Sequence, residues 1–253
     1  MNFFFGFKNN DYETELQIPK FQNKNSINKE INLYSAKISD KLWEINKIKN
    51  SDEDDYFYFI KDKLIDNKII YFLAKDSEIK KSKEEKLIKY NKFTETSPAF
   101  RANFIIKKIN GGFSSYQSEY PFNMTTKNGS ITSGTASLTS KSANKNYIIF
   151  RNIFIEPIER PFNIYFINLK TNEILKKDQF FTNRTNIIEI DNELLKPEIY
   201  FVSNNYLGVP IYLSEKNGHL SFEHTHPPHE YFMSQNKFKI IKKFKSEINK
   251  IIN

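Results

Sequence analysis

The sequence predicts a mainly β protein with one amphipathic helix at its C-terminal end. Aromatic residues make up 15% of the 253 residues, and aromatic side chains are enriched in strands. In the second half of the chain, short apolar runs alternate with turn residues, without the long helical patterns of a βαβ fold. We therefore expect residues 96–235 to form an antiparallel β-sandwich or a barrel-like domain of the jelly-roll type.

The N-terminal part, residues 1–95, is also expected to be rich in strands. Apolar stretches at residues 2–7 and 13–18 flank an Asn-Asn pair and predict a hairpin, and residues 56–61 and 68–75 predict a second one. The lysine- and glutamate-rich residues 76–92 suggest an exposed helix or a linker. Beyond them the composition changes, because six of the seven glycines and all four histidines follow residue 110. We place a domain boundary near residue 96.

The second part carries the clearer strand signals, since each apolar run is bounded by turn residues. Strands are predicted at residues 102–108, 147–155, 163–169, 186–190, 199–203 and 210–214.

Residues 236–253 form the most convincing helix. Apolar residues recur at three- and four-residue spacing, and most lysines fall on the other faces. The favoured interpretation is that the apolar face packs on the sheet or on the N-terminal part. A peripheral membrane contact is the less favoured alternative, since basic amphipathic helices lie in anionic interfaces. A helix that binds a partner protein is the third.

Composition restricts the function classes. The net charge is +8, but residues 236–253 carry six lysines against one glutamate, which leaves +3 for the other 235 residues. Since a nucleic-acid-binding body shows a broader basic face, we expect no nucleic acid partner. The chain has no cysteine and no phosphate-binding glycine motif, so thiolate metal sites and nucleotide cofactors are not expected. It shows no signal peptide and no membrane span, and we expect a soluble, cytoplasmic protein.

The histidines are the strongest functional signal. All four lie in residues 218–230, at His219, His224, His226 and His229. If the segment starts as a strand, alternate side chains share a face, so His224 and His226 lie with Leu220 and Phe222 on an apolar face. Same-face neighbours are roughly 6–7 Å apart, close enough for two imidazoles to bind one metal ion.

A third ligand is available after the strand. Pro227 and Pro228 end the ladder, and His229 or Glu230 follows directly. Two histidines with a carboxylate suit zinc, non-haem iron or manganese. The alternatives are structural histidines bonded to the backbone, and histidines that move protons or contact a ligand without metal.

A family resemblance points to the same residues. Gly218, the His224-Thr225-His226 triplet and Glu230 resemble, in identity and spacing, the first motif of the cupins, which are metal-binding β-barrel proteins. The resemblance implies that His224, His226 and Glu230 are ligands. It covers thirteen residues, and the histidine of the second cupin motif has no counterpart downstream.

A second candidate site is the polar stretch from residue 114 to 120. Hydroxyls, an amide and tyrosines on a loop would suit a sugar or another small ligand, although an ordinary surface loop or edge strand has the same composition. The candidate ligand-binding residues here are Tyr116, Gln117, Glu119 and Tyr120. Arg151 interrupts an apolar strand and is expected to be a buried, paired or ligand-facing cation.

Two functions follow from these candidates. One is a metal-dependent enzyme centred on the histidine segment, with the reaction left open. The other is a non-catalytic β-sandwich module that binds a glycan or a protein, with structural histidines. No catalytic residue and no oligomeric state is assigned from the sequence.

Overall fold

A computed structural model describes residues 2–22, 26–27, 30–49, 51–90, 101–224 and 234–253. Over these residues the chain is mainly β-structure with one C-terminal helix, which confirms the predicted class. The strands are β1 (Asn2–Phe4), β2 (Tyr12–Pro19), β3 (Phe21–Gln22), β4 (Ser26–Ile27), β5 (Ile31–Ser39), β6 (Leu42–Lys47), β7 (Asp52–Glu53), β8 (Phe57–Lys61), β9 (Ile70–Lys75), β10 (Lys83–Glu84), β11 (Asn103–Lys108), β12 (Phe113–Gln117), β13 (Glu119–Pro121), β14 (Ile131–Gly134), β15 (Lys145–Arg151), β16 (Pro161–Asn168), β17 (Glu173–Phe181), β18 (Thr185–Glu189), β19 (Ile199–Ser203), β20 (Val209–Lys216) and β21 (His219–His224). Helix α1 spans Lys237–Ile252, and 3₁₀ turns lie at Asp62–Leu64, Asp76–Glu78, Phe122–Met124 and Asn192–Leu194.

The strands form four larger antiparallel sheets and the small pair β3–β4. Sheet 1 has the order β10-β6-β5-β9-β1-β13, sheet 2 β12-β11-β2-β8-β7, sheet 3 β14-β19-β16-β17 and sheet 4 β18-β15-β20-β21. These four sheets are arranged as a four-bladed β-propeller rather than as a sandwich. The expected sandwich or jelly-roll-type barrel is therefore wrong. Apolar alternation identifies strands and their buried faces, but it does not specify which sheets pack against each other.

Strand β15 of sheet 4 is buried on both faces. From β15, Tyr147 and Ile149 enter the large apolar cluster shared with sheets 1 and 2, whereas Ile148 and Phe150 enter a second cluster with sheet 3. The near-continuous apolar run of β15 is the pattern expected of a strand covered on both sides. Sheet 4 thus joins the N-terminal sheets to the rest of the molecule.

Both predicted hairpins of the N-terminal part are wrong, although their strands exist. β1 belongs to sheet 1 and β2 to sheet 2, and β8 and β9 are divided between the same two sheets. Phe5 and Phe7 of the connection between β1 and β2 are buried, and a Cβ on Gly6 would lie 2.5 Å from Ile65 Cγ2. The chain therefore crosses between sheets through the core instead of turning at the surface.

Strand pairing joins residues on either side of the predicted boundary near residue 96. β1 pairs with β13 and β2 pairs with β11, in both cases antiparallel. The expected helix or linker at residues 76–92 contains, as far as residue 90, a 3₁₀ turn and the short strand β10. The division into residues 1–95, 96–235 and 236–253 stays a prediction.

Helix α1 packs its apolar side on the outer face of sheet 3. Ile248 is buried against Tyr165, Ile167 and Val202, with Phe244 and the last two isoleucines of the helix at the edge of this cluster. This placement agrees with the favoured interpretation of the helix. Within the described residues, no helix combines the length and apolar character needed to cross a bilayer.

Candidate functional site

The two stretches that the sequence singles out meet in the structure. The edge strand β12 of sheet 2 lies beside the edge strand β21 of sheet 4. The hydroxyl of Tyr116 on β12 is 3.0 Å from Nδ1 of His224 on β21, within hydrogen-bond distance. The two ring centroids are 4.4 Å apart, with the planes tilted by 55°.

Strand alternation positions this pair. On β21, Phe222 is buried and Leu220 and His224 are half-buried on the same face, whereas His219, Ser221 and Glu223 are exposed. Phe222 packs edge-on against Phe104 at 5.3 Å, and Phe104 is the cross-strand partner of Tyr116. The predicted apolar face of the histidine strand is therefore confirmed as far as His224.

The remainder of the predicted metal site lies outside the described residues, since these residues end at His224 and resume at Ser234. This applies to His226, His229 and Glu230. In the described part of the chain, no group of three or more histidines and carboxylates is placed to hold a metal ion. A zinc, iron or manganese site therefore stays a prediction, with His224 as its one described member.

The predicted ligand-binding residues differ in burial, and their role in binding stays a prediction. Gln117 is half-buried at the end of β12. Glu119 is buried and accepts hydrogen bonds from Arg101 Nη1 at 2.6 Å and from the Ala102 amide at 3.1 Å. Burial raises the pKa of Glu119, and the arginine opposes the shift. Tyr120 is fully buried and donates to the Leu207 carbonyl at 3.3 Å.

Arg151 is fully buried at the end of β15. Its Nη1 donates to the Asn67 carbonyl at 2.6 Å and to Thr185 Oγ1 at 3.3 Å. Its Nε and Nη2, like Nε of Arg184, are buried without a hydrogen-bond partner among the described residues. Burial lowers the pKa of Arg151 to about 9. The guanidinium is thus a cation at neutral pH that links β15 to the N-terminal part.

A cleft of about 730 Å³ lies elsewhere, beside helix α1 and the ends of β16 and β17. We call it the amide cleft, because six side-chain amides line it, from Asn128, Asn163, Gln179, Asn204, Asn205 and Asn249. Among the described residues these amides form no hydrogen bonds with protein groups, and no charged side chain lines the cleft. Ser130, Phe162 and Tyr206 complete most of the wall.

Local structure explains why amides gather in the amide cleft. Asn205 adopts a left-handed backbone conformation (φ 71°), which asparagine tolerates better than most residues. Asn163 of β16 and Gln179 of β17 are cross-strand partners, so their side chains share the helix-facing side of sheet 3. Tyr206 packs on Phe162 with ring centroids 5.2 Å apart, which fixes an aromatic surface beside the amides.

Comparisons with known proteins add no identification. Neither a family model, a curated protein nor a solved structure matches the chain. The functional assignment must therefore come from the geometry of these sites.

The sequence did not point to the amide cleft. Its lining residues come from five separated segments, and asparagine is abundant throughout this chain. The one local signal is the triplet Asn204-Asn205-Tyr206 after β19, where turn-forming amides precede an aromatic residue.

Proposed function

We propose that the protein is a binding module for a neutral glycan, which is recognised in the amide cleft. The observation that supports this proposal is the lining of the cleft, with six amides that have no protein partner among the described residues and no charged group. Each amide offers both a carbonyl acceptor and an NH₂ donor. A sugar hydroxyl is likewise donor and acceptor, so the two surfaces are chemically complementary.

The size and polarity of the cleft fit a ligand of this class. Its volume of about 730 Å³ lies within the roughly 300–1,000 Å³ typical of ligand pockets. A charged ligand would lose hydration without gaining an ionic partner from the lining, so a neutral ligand is favoured. Tyr206 supplies an apolar ring against which the carbon face of a sugar packs.

The cleft also supports recognition rather than hydrolysis. Glycoside hydrolysis generally uses two carboxyl groups that flank the glycosidic bond. The described lining residues include neither a carboxylate nor a histidine.

A glycan array of neutral oligosaccharides, followed by calorimetry on the best ligand, tests the proposal. The variant Gln179→Ala/Asn249→Ala removes two exposed lining amides. At about 0.5–1.5 kcal/mol for each lost hydrogen bond, it should bind roughly 5- to 150-fold more weakly.

The variant Gln235→Ala/Asn10→Ala is the matched control, because it makes the same chemical changes at exposed positions outside the cleft. It should bind like the wild type. Absence of any bound neutral oligosaccharide, or equal binding by the cleft variant and the wild type, would reject the proposal.

A metal site at His224 is the second candidate function, and the Tyr116–His224 pair favours it. Metal-binding histidines commonly hydrogen-bond a neighbouring group through the ring nitrogen that does not hold the metal, which orients the ring. Tyr116 occupies Nδ1 in this way, so His224 would bind a metal through Nε2. His226, His229 and Glu230 would supply further ligands.

Elemental analysis of the untagged protein tests the metal site. We expect stoichiometric zinc, iron or manganese that is lost in His224→Ala and retained in His219→Ala, a histidine on the opposite face of β21. Tyr116→Phe should weaken metal binding roughly 10- to 100-fold. If the wild type takes up none of the three metals on incubation, the site does not exist.

A further inference from the structure

Helix α1 is fixed on sheet 3 with a defined orientation. Ile248 is buried, and Phe244 packs on Tyr200 with ring centroids 5.7 Å apart. Lys245 is half-buried, and its Nζ donates to the Ser130 carbonyl at 3.0 Å. The apolar side of the helix is therefore occupied by the protein itself, and the opposite side faces solvent.

The solvent-facing side is a lysine surface. At 100° per residue, Lys239, Lys242, Lys243 and Lys250 fall within about 100° of arc, and all four are exposed. The one acidic residue of the helix, Glu247, lies at the margin, 4.0 Å from Lys243. Since the apolar side of the helix already accounts for its docking, these lysines are not needed to attach it.

Exposed apolar side chains border the lysine surface. Phe238 in the first turn is 66% exposed, and Ile240 is 42% exposed. Ile174 of β17 is 41% exposed. It is the cross-strand partner of Ile167, which contacts the helix, and cross-strand partners share a face, so Ile174 lies on the helix side of sheet 3. Clustered lysines bordered by exposed apolar residues are the combination that binds anionic lipid interfaces.

We propose that this surface, formed by Lys239, Lys242, Lys243 and Lys250 with Phe238 and Ile240, docks the protein on an anionic lipid bilayer. The lysines attract the headgroups, and the two apolar residues enter the interface. The helix stays on sheet 3 during binding, so its outer face is presented without unfolding. This inference does not depend on glycan binding in the amide cleft, and the variants that test it leave the cleft residue Asn249 unchanged.

Vesicle sedimentation tests the inference. The wild type should pellet with vesicles of phosphatidylcholine and phosphatidylserine, but not with phosphatidylcholine alone, and added salt should weaken binding. Changing the four lysines to glutamine should reduce vesicle affinity by roughly 100- to 1,000-fold, since each lysine near such a surface contributes about fivefold. The changed residues are exposed, so the thermal midpoint should stay close to that of the wild type.

A matched control removes the same number of charges elsewhere. Lys80, Lys81, Lys86 and Lys89 are exposed, and their replacement by glutamine should leave vesicle binding nearly unchanged. Phe238→Ser should weaken binding about tenfold, because less apolar area enters the interface. Ile88→Ser, at a residue that is 42% exposed away from the helix, should not.

Three results would overturn the inference. The first is that the wild type pellets no better with anionic than with neutral vesicles. The second is that the two quadruple lysine variants lose vesicle binding equally, in which case net charge alone explains the binding. The third is that duplex DNA binds through the same lysines while vesicles do not, which would make nucleic acid the partner.

Discussion

The hydroxyl of Tyr12 donates a 2.7 Å hydrogen bond to Glu215 Oε2 and thereby joins sheet 2 to sheet 4. Lys108 Nζ is 3.0 Å from the same oxygen. Burial raises the pKa of Glu215, but the hydrogen bonds from Tyr12 and Lys108 outweigh burial, so the pKa lies below its usual value. The ionised carboxylate is therefore favoured by folding.

The pH dependence of stability follows from this shift. A carboxyl group whose pKa is lower in the folded protein stabilises the fold at pH values above its unfolded pKa, which is about 4.3 for glutamate. This contribution is lost as the pH falls through the folded pKa. Glu215→Gln should lower the free energy of unfolding by about 1.5–3 kcal/mol at pH 7, with a much smaller difference at pH 3. Urea unfolding at both pH values measures this. Glu193→Gln, at an exposed position, is the control, and a Glu215→Gln deficit that is equal at both pH values would contradict the assignment.

Gly208 is required by close packing at the end of sheet 4. A Cβ there would lie 2.2 Å from Phe150 Cζ and 2.7 Å from the Arg151 carbonyl oxygen. Gly208→Ala should therefore cost about 1–3 kcal/mol or more by overpacking. At Gly134 a Cβ would meet its nearest neighbours at 3.6 and 3.8 Å, so Gly134→Ala should be neutral or slightly stabilising. Equal midpoints in thermal unfolding would show that the chain relaxes around residue 208.

The buried charge of Arg151 should lower the free energy of unfolding rather than raise it. Its cation is buried without an ionic partner among the described residues, and the Asn67 carbonyl also accepts from the Thr185 amide at 2.7 Å. Burying a charge without an ionic partner is costly, so an apolar side chain of similar size should leave the free energy of unfolding unchanged or raise it. We expect this of Arg151→Met in urea unfolding at pH 7. A loss above about 1 kcal/mol would contradict this expectation and would mean that the hydrogen bonds of Arg151 to Asn67 and Thr185 outweigh the cost of burying its charge.

Two isoleucines of helix α1 differ in burial, so replacing each of them tests which side of the helix packs on sheet 3. Ile248 is 1% exposed in the cluster with sheet 3, whereas Ile240 is 42% exposed. Ile248→Ala should cost about 2–5 kcal/mol through lost burial and the cavity left behind. Ile240→Ala should change stability by no more than about 0.5 kcal/mol. Similar denaturation midpoints for both variants would place the helix away from sheet 3.

Local pattern was enough for many elements of this fold. Residues 199–203 were predicted as a strand and form β19, and the C-terminal helix begins and ends within two residues of its apolar repeat. Alternation and three- to four-residue spacing are properties of one segment, so a single sequence carries them. The mostly exposed strand β17 was missed, because neither of its faces is consistently apolar.

Pairing and site assembly depend on segments far apart in sequence. Nothing local to Tyr116 or His224 predicts that they lie within hydrogen-bond distance, 108 residues apart. The amide cleft is harder still, because each of its asparagines resembles an ordinary turn residue until the segments are folded together. Burial is likewise not visible in a polar segment: Glu119 and Tyr120 are buried, and their role as ligand contacts stays a prediction.

The pairing of β1 with β13 has a consequence for folding during synthesis. Phe3 is the partner of Tyr120, so sheet 1 cannot be completed until 117 further residues have been made. At roughly 5–20 residues per second, the ribosome needs on the order of 6–25 s for that length. During this interval the apolar strand β1 lacks its partner strand β13. We therefore expect nascent chains shorter than about 120 residues to depend on chaperones.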